Sequence, residues 1–469
     1  MYRRRVNSMR PPLLLIAAAV VSVAVAAIPL LYLLVRTSSA GWNAVVEALF
    51  RDRTLETTIT SVALVTLVIV GCLVIAVPTA WLLARTNIPG RAFFLVIAAL
   101  PLAVPSYVMA YAWIAEFPSM SGIGAAALVM VLATYPYVAI PLTAALRSID
   151  AGHEEAAQSL GLGPLAVARR VSLPLAWPAA AAGVLLAALY TLSEFGTVAI
   201  FRVDAFTRVI YTAYRASFDR TTAAVLSLVL VCLALLLVVI EPRILGKSQR
   251  WRIGPGVSRP APRQQLRTRG TVLGVAWLVG VAVLSLGVPA WSLTRLLLES
   301  QRSELDIGEL VGAVVGSVSS SILGAALALL LALPIAALAA RYRSRIVRSI
   351  EGAAFLGHAL PGVVVGLSLV FLTLAVLPAA YQTLAVLAFA YAVLFLPKAI
   401  GSSRSAIAHV PPGLESTARS LGRGPLRAWC TVTGRLAWPG IAAGTLLVVL
   451  TAMKELPATL MLRPTGFST

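Results

Sequence analysis

The sequence predicts an all-α, polytopic membrane protein. Of its 469 residues, 59% are hydrophobic and 12% are charged, whereas soluble domains carry about 25% charged residues. Apolar runs of about 20 residues, the length that crosses the hydrocarbon core as a helix, recur between charged or turn residues. Because a helix satisfies its own backbone hydrogen bonds in lipid, each run is predicted to be helical.

Eleven apolar runs meet this length criterion. The first follows a basic start, is long and has no convincing cleavage site before Trp42, so we predict a retained helix and not a signal peptide. The runs are Pro12 to Val35, Thr57 to Leu83, Ala92 to Ile114, Ile123 to Leu146, Leu175 to Phe201, Thr221 to Ile240, Thr271 to Leu293, Val311 to Ala340, Ala353 to Leu377, Thr383 to Ile400 and Leu436 to Leu456.

The basic residues of the chain indicate membrane topology. The formal net charge is +20, and most Lys and Arg residues fall in inner loops if the N-terminus is cytoplasmic, as the positive-inside rule expects. Four outer arginines between Arg202 and Arg220 are a local exception. We therefore attribute the charge to topology and predict no nucleic-acid partner. The three cysteines imply neither a disulfide framework nor a metal cluster.

An internal repeat divides the chain into two halves. A shift of 261 residues places Ser159 to Leu165 on Ser420 to Leu426, and upstream a shift of 256 takes over. Chance seldom keeps one register so long, and the predicted halves are parallel, with six helices in each. The paired positions include Arg85 with Arg341, Pro105 with Pro361, Glu154 with Glu415, Glu194 with Glu455 and Phe206 with Phe467.

The repeat sets the predicted domain boundaries. Residues 1–242 form the first half, 243–270 a basic cytoplasmic linker, and 271–469 the second half. Thr469 aligns with Arg208, which precedes the sixth span of the first half, so the last helix of the second half is absent from this chain. Truncation and a true lack of that helix both explain this, and we favour truncation.

The segment from Glu154 to Pro178 interrupts the apolar pattern. Asp150 is placed to cap a short helix that carries Glu154 and Glu155 in its first turn, and Gly161 is placed to end it. Pro164 suits the first turn of a second helix, and Pro174 is predicted to mark the entrance to the next span. We predict that such a helical pair outside the lipid transmits the motion of a cytoplasmic partner to the membrane helices. The alternative is an amphipathic hairpin that only anchors the loop at the interface.

The same segment resembles the signature loop of ABC importer permeases. Glu155 to Ala157, Gly161, Val171 and Leu173-Pro174 match every element of that pattern. The resemblance implies a coupling helix that docks on a separate ATP-binding subunit and transmits its motion to the membrane. In loop one, residues 150–174, it points to Glu154, Glu155, Ala156, Ala157, Gly161, Pro164 and Pro174.

The second copy of the loop departs from the pattern. Ser416 stands in the place of Glu155, and Gly434-Arg435 stands in the place of Leu173-Pro174. Docking is still expected, although the polar contacts differ. In loop two, residues 411–435, the equivalent candidates are Glu415, Ala418, Gly422 and Pro425.

Most of the chain resembles the fused two-half permeases of iron(III) importers. The supporting stretches are residues 99–113, 191–201 and 454–467. The resemblance implies a bacterial inner-membrane protein that receives iron(III) from an extracytoplasmic binding protein and works with two ABC ATPase subunits. ATP and Mg would be held by those subunits, with no cofactor bound by this chain. Thiamine and aminophosphonate permeases share this layout and remain alternatives.

Several ionisable or helix-breaking residues are candidates for the translocation pathway or a gate. Glu194 and Glu455 are expected near the outer face, roughly 28 Å along their spans. They are predicted either to contact a hard cation transiently or, as we favour, to cap a helix break before Gly196 and Pro457. His358, Pro105 and Pro361 complete the candidates, although for them we favour a structural histidine and packing kinks. Lys398 is expected to reach the inner interface. No metal site is established.

Two other classes of protein explain the sequence less well. A secondary transporter would need its own coupling-ion site, and no membrane-centred acidic cluster is apparent. A membrane enzyme would need a catalytic motif; Gly246 to Ser248 resembles the end of a phosphate-binding loop, but Glu241 stands where the first glycine should be. We therefore predict a transport subunit whose ATP hydrolysis takes place on another polypeptide.

Overall fold

The computed structural model describes residues 11–39, 41–215, 219–245, 263–300, 307–342, 344–355, 357 and 360–466. Within these ranges the chain is helical with short connections, and an isolated β-bridge pairs Thr86 with Gln264. The all-α prediction is confirmed. His358 and Phe467 lie outside the described residues.

Nine described helices are long and apolar enough to cross a membrane. They are α1 (Leu13–Ser39), α3 (Asp52–Arg85), α6 (Gly122–Ser148), α8 (Pro164–Ser193), α11 (Arg220–Leu245), α12 (Thr268–Glu299), α13 (Ile307–Arg341), α16 (Leu384–His409) and α18 (Pro425–Ala452). The shorter helices are α2 (Trp42–Leu49), α4 (Arg91–Ala99), α5 (Ser106–Glu116), α7 (Ala151–Ser159), α9 (Gly196–Ile200), α10 (Phe206–Arg215), α14 (Arg345–Phe355), α15 (Gly362–Val376), α17 (Pro412–Ser420) and α19 (Pro457–Leu462).

Three predicted spans are interrupted in the structure. The run from Ala92 forms α4, a 3₁₀ turn over Leu100–Ala103 and then α5, with a bend of 94° at the break. The run from Ala353 is divided between α14 and α15. The run that was predicted to end at Phe201 ends instead at Ser193, where α8 stops before α9 begins. The prolines before α5 and α15 explain the first two breaks, because proline has no N–H to donate and disfavours helix in the residue before it.

One compact unit comprises Leu49–Phe218 and Cys232–Leu305. Its centre is α6, which packs against α3 and α8 through a continuous buried cluster that includes Leu64, Met130 and Tyr135. Helices α6 and α8 approach very closely, because a Cβ added at Gly183 would lie 2.3 Å from the carbonyl oxygen of Tyr137. Helix α12, the first span of the second repeat, belongs to this unit and packs on α3, α5 and α6.

The other compact unit comprises Met1–Ala48, Asp219–Val231 and Asp306–Thr469. Its centre is the pair α13 and α16, with α18 packed against both. Glycines again permit close packing, since a Cβ at Gly324 would meet the ring of Tyr391 and one at Gly444 would meet Ser402. Helix α1 belongs to this unit, where the guanidinium of Arg36 lies 5.9 Å from the centre of the Phe371 ring.

Candidate functional site

The first predicted coupling loop is a short helix that ends in a tight glycine turn. The Asp150 carboxylate accepts a hydrogen bond from the amide of Gly152 at 2.9 Å and caps α7. At the other end Gly161 adopts a left-handed conformation, with φ of +84°. The Gly161 and Leu162 amides donate to the carbonyls of Gln158 and Ala157, which satisfies the last carbonyls of the helix. The predicted cap and glycine stop are therefore both present.

Pro174 lies at the start of the α-helical part of the next span, as predicted, within one continuous helix. Helix α8 begins at Pro164, as predicted, and it continues through Pro174 to Ser193 without interruption. A π-helical turn over Ala168–Ser172 precedes the proline. Trp429–Gly434 forms the same π turn in the second copy, where Arg435 replaces the proline, so proline is not its cause. The loop is thus one short helix followed by the N-terminal extension of a membrane span.

Loop two repeats the geometry of loop one despite its different sequence. Gly422 has the same φ of +84°, and its amide and that of Arg423 donate to Arg419 and Ala418. Pro425 begins α18 as Pro164 begins α8. The backbone of the glycine turn is therefore equivalent in the two halves.

Each glycine turn carries two exposed leucines at equivalent positions. Leu160 and Leu165 are 83% and 65% exposed in loop one, and Leu421 and Leu426 are 79% and 76% exposed in loop two. Of the signature residues, Glu155 and Ala156 are exposed, whereas Ala157 and its counterpart Ala418 are buried. Exposed apolar side chains beside a rigid turn suit a protein partner.

The glutamate that both loops share lies behind this exposed surface. One oxygen of Glu154, Oε1, accepts from Nη2 of Arg85 at 2.6 Å and from the hydroxyl of Ser172 at 2.5 Å. The Arg85 side chain is 5% exposed and that of Glu154 is 15% exposed. This buried ion pair was not predicted from the sequence.

The second half contains an equivalent cluster. Nη1 of Arg341 donates to the carbonyl of Val410 at 2.9 Å, and Nη2 lies 3.5 Å from the hydroxyl of Thr433. The same hydroxyl donates to Glu415 at 2.9 Å. The Arg, Glu and hydroxyl residues therefore recur at equivalent positions of the repeat, with the hydroxyl of Thr433 between the two charges.

Glu194 links two interrupted helices at a different place in the first repeat. Its Oε1 accepts from the amide of Thr197 at 2.9 Å, at the start of α9, and its Oε2 accepts from the hydroxyl of Ser106 at 2.7 Å, at the start of α5. Tyr190 donates to the same Ser106 hydroxyl at 2.9 Å. Oε1 thus caps the start of α9, which agrees with the interpretation that we favour from the sequence, while Oε2 bonds to a side chain at the start of α5. Any part in the pathway stays a prediction.

Glu455 makes the corresponding cap in the second repeat. Its Oε1 accepts from the amide of Ala458 at 3.3 Å. Gly362 takes the place of Ser106 at the start of α15, and a Cβ there would lie 2.0 Å from the same oxygen. The Tyr391 hydroxyl is 2.6 Å from that of Thr459, which itself donates to the Glu455 carbonyl.

The remaining ionisable candidates form no metal-binding cluster in the described part of the chain. Across the described ranges, no group of three or more His, Cys, Asp and Glu side chains could hold a metal ion. Lys398 is partly buried in α16, with Nζ 5.3 Å from the centre of the Phe395 ring. Pro105 and Pro361 precede α5 and α15 in extended conformations.

Comparison with known protein families accounts for this repeated architecture. Residues 76–245 and 332–467 each match the family described as "Binding-protein-dependent transport system inner membrane component". The chain belongs to this family. It is a multi-pass transport component, and the repeat found in the sequence corresponds to two copies of the family's domain. The prediction of two permease halves is thereby confirmed.

Similar proteins of this family carry several transport names. The chain is 34% identical, over 98% of its own length and 91% of the relative, to the Fe(3+)-transport system permease protein FbpB 2 of Haemophilus influenzae. It is 28% identical to the molybdenum transport system permease protein ModB of Escherichia coli, over 37% of the chain and 86% of the relative. A probable sulfate transport system permease protein, cysT of Helicosporidium, is 28% identical over 45% of the chain and 86% of the relative.

The Arg85 and Glu154 pair could have been found from the sequence repeat. Both residues recur in register, as Arg341 and Glu415, although most charged positions differ between the halves. The signal in the sequence is that both members of this pair of opposite charges are retained in the second half. The signature residue Glu155, by contrast, has Ser416 as its counterpart and lies exposed.

Proposed function

We propose that this chain is the permease subunit of an ATP-driven importer of iron(III). The observation that carries the proposal is the relative named for Fe(3+) transport, which aligns with 98% of the chain at 34% identity. Iron(III) is the transported substrate in this proposal and not a resident cofactor. An extracytoplasmic binding protein delivers it, and the chain provides the path across the bacterial inner membrane.

The two loops are the proposed contacts with the ATPase subunits. Each loop presents two exposed leucines around a left-handed glycine, and each continues directly into a membrane span. One ATPase subunit docks on each loop, so the assembly contains two such subunits, which hold ATP and Mg. This arrangement places both loops and the N-terminus in the cytoplasm, in agreement with the distribution of basic residues.

Relatives named for other substrates support this proposal less strongly. The molybdenum and sulfate permeases align with less than half of the chain and therefore correspond to one repeat. The Fe(3+) permease aligns with both repeats and with the segment that joins them. Coverage of the whole chain is the reason for choosing iron(III).

Competition between substrates tests the proposed specificity. The permease, its ATPase and its binding protein would be reconstituted in proteoliposomes, and uptake of radiolabelled iron(III) citrate would be measured. Excess unlabelled iron(III) citrate should abolish uptake of the label, whereas excess molybdate, sulfate, thiamine or aminophosphonate should leave it unchanged. Strong inhibition by one of these four compounds, together with its ATP-dependent uptake, would reassign the substrate.

A further inference from the structure

We propose that Glu154 and Glu415 are positioning residues that join each coupling loop to two membrane helices, and that the linker between the repeats braces the first joint. This inference rests on the proposed function, because it concerns how motion at the docking loops reaches the membrane. The first joint is defined as Arg85, Glu154 and Ser172, and the second as Arg341, Glu415 and Thr433.

A single carboxylate connects three structural elements in the first joint. Glu154 lies on the coupling helix α7, Arg85 is the last residue of span α3, and Ser172 lies in the π turn of α8. Both partners bond to the same oxygen, at 2.6 Å and 2.5 Å. Hydrogen bonds to charged groups are short and directional. Displacement of α7 is therefore transmitted to α3 and α8 together.

The joints lie away from the exposed leucines on which docking is proposed. Arg85 and Ser172 are buried, whereas Leu160 and Leu165 project from the same loop into solvent. A partner that contacts the leucines leaves the ion pair enclosed within the permease. The glutamates are thus placed to transmit a docked partner's motion, and they are not placed to contact that partner.

The energetics of these clusters favour a positioning role over a purely stabilising one. Burying an ion pair costs desolvation that often cancels its Coulombic gain. In both joints the Nε atom of the arginine is also buried without a hydrogen-bond partner in the described part of the chain. An unsatisfied buried donor costs further free energy. Both repeats bear this cost at equivalent positions, whereas apolar side chains in the same places would avoid it.

The linker contacts the first joint through the backbone of Arg85. The Gln264 amide donates to the Arg85 carbonyl at 2.8 Å, and the Asn87 amide donates to the Gln264 carbonyl at 3.2 Å. The Asn87 side chain accepts from the amide of Leu266 at 2.9 Å. This is the isolated bridge noted above, and within the described ranges Arg341 has no counterpart to it. The linker therefore braces the first joint.

The ratio of iron uptake to ATP hydrolysis tests this inference. Glu154→Gln retains the size of the side chain and removes its charge, so the complex should assemble while the motion is poorly transmitted. We expect co-purification of the ATPase and its hydrolysis rate within about twofold of wild type, and an uptake-to-hydrolysis ratio lowered at least about fivefold. Glu351→Gln is the matched control, because Glu351 is 17% exposed, pairs with Arg404 and lies outside both loops. It should leave the ratio unchanged.

A second, milder pair of variants covers the case in which Glu154→Gln fails to fold. Ser172→Ala removes one hydrogen bond and retains both charges, and Thr433→Ala does the same in the second half. Ser172→Ala should lower the ratio by about twofold or more without changing assembly. Gln264→Pro, which removes the amide that bonds to Arg85, should lower the ratio through the first joint alone.

Three results would overturn the inference. They are an unchanged ratio in Glu154→Gln, an equal fall in Glu351→Gln, or loss of ATPase co-purification in Glu154→Gln with normal folding, which would make the carboxylate a docking group. Failure of the proposed function would be seen separately. In that case the wild-type chain would neither capture the ATPase nor take up iron(III) citrate with ATP.

Discussion

The glycine turns offer the most informative single substitution. Gly161 and Gly422 share a φ of +84°, and nothing lies within 4 Å of a Cβ built at either position. Alanine at either site therefore meets no steric obstacle and only the cost of a left-handed backbone. For an L-residue that cost is about 1–2 kcal/mol. It corresponds to a shift of roughly fivefold to thirtyfold in the ratio of native to non-native turn.

The assay is capture of the ATPase subunit by the purified permease, followed by the uptake-to-hydrolysis ratio in proteoliposomes. Gly161→Ala should weaken capture by at least about fivefold. Gly161→Asn should restore most of it, because Asn adopts the left-handed conformation at lower cost than other residues. Gly422→Ala carries the same backbone cost and should have a smaller effect, since only loop one preserves the whole signature.

A bulky residue extends the comparison to side-chain size. Gly161→Trp should uncouple hydrolysis from uptake more severely than Gly422→Trp. Equal or negligible effects of all these variants, with normal folding, would refute the reasoning and make the loops simple interfacial hairpins.

Three further predictions concern the membrane region and the topology. Glu194→Ala leaves two buried donors without an acceptor and should lower the free energy of unfolding in detergent by about 1–3 kcal/mol. Glu194→Gln should keep iron uptake within about twofold of wild type, whereas loss of uptake in a folded Glu194→Gln protein would support a pathway role. Gly183→Ala should lower the free energy of unfolding by about 1–3 kcal/mol, because the added methyl group would meet the neighbouring backbone. Gly124→Ala, with nothing within 4 Å of the added Cβ, should leave it unchanged, and equal unfolding temperatures of the two variants would contradict the close packing. A membrane-impermeant maleimide should label exposed Cys430 only in inside-out vesicles and leave buried Cys72 unmodified; labelling of Cys430 in right-side-out vesicles would reverse the topology.

The architecture was largely predictable because its causes are local. Apolar runs long enough to cross a bilayer predicted the spans, and the register of the repeat predicted two halves. The glycine stops at Gly161 and Gly422 were predicted from the same repeat, since a helix followed by glycine suits a left-handed turn. Their dihedral angles agree with that expectation.

Contacts between distant residues could not be predicted from spacing along the chain, although the repeat marks Arg85 and Glu154 as opposite charges retained in both halves. Arg85 and Glu154 are separated by 69 positions, and Ser106 and Glu194 by 88. Spacing along the chain does not specify such pairs, because they form only when separate helices pack together. The sequence also did not predict that the second loop helix is continuous with the following span, although Pro174 does lie at the start of the α-helical part of that span.

Reconstitution of the purified chain tests the central claim most directly. Uptake of iron(III) citrate would be measured with and without the ATPase subunit, with ATP or with an imposed ion gradient, and with the binding protein present throughout. We expect uptake only when both ATP and the ATPase are supplied. Gradient-driven uptake by the chain without the ATPase would contradict this expectation.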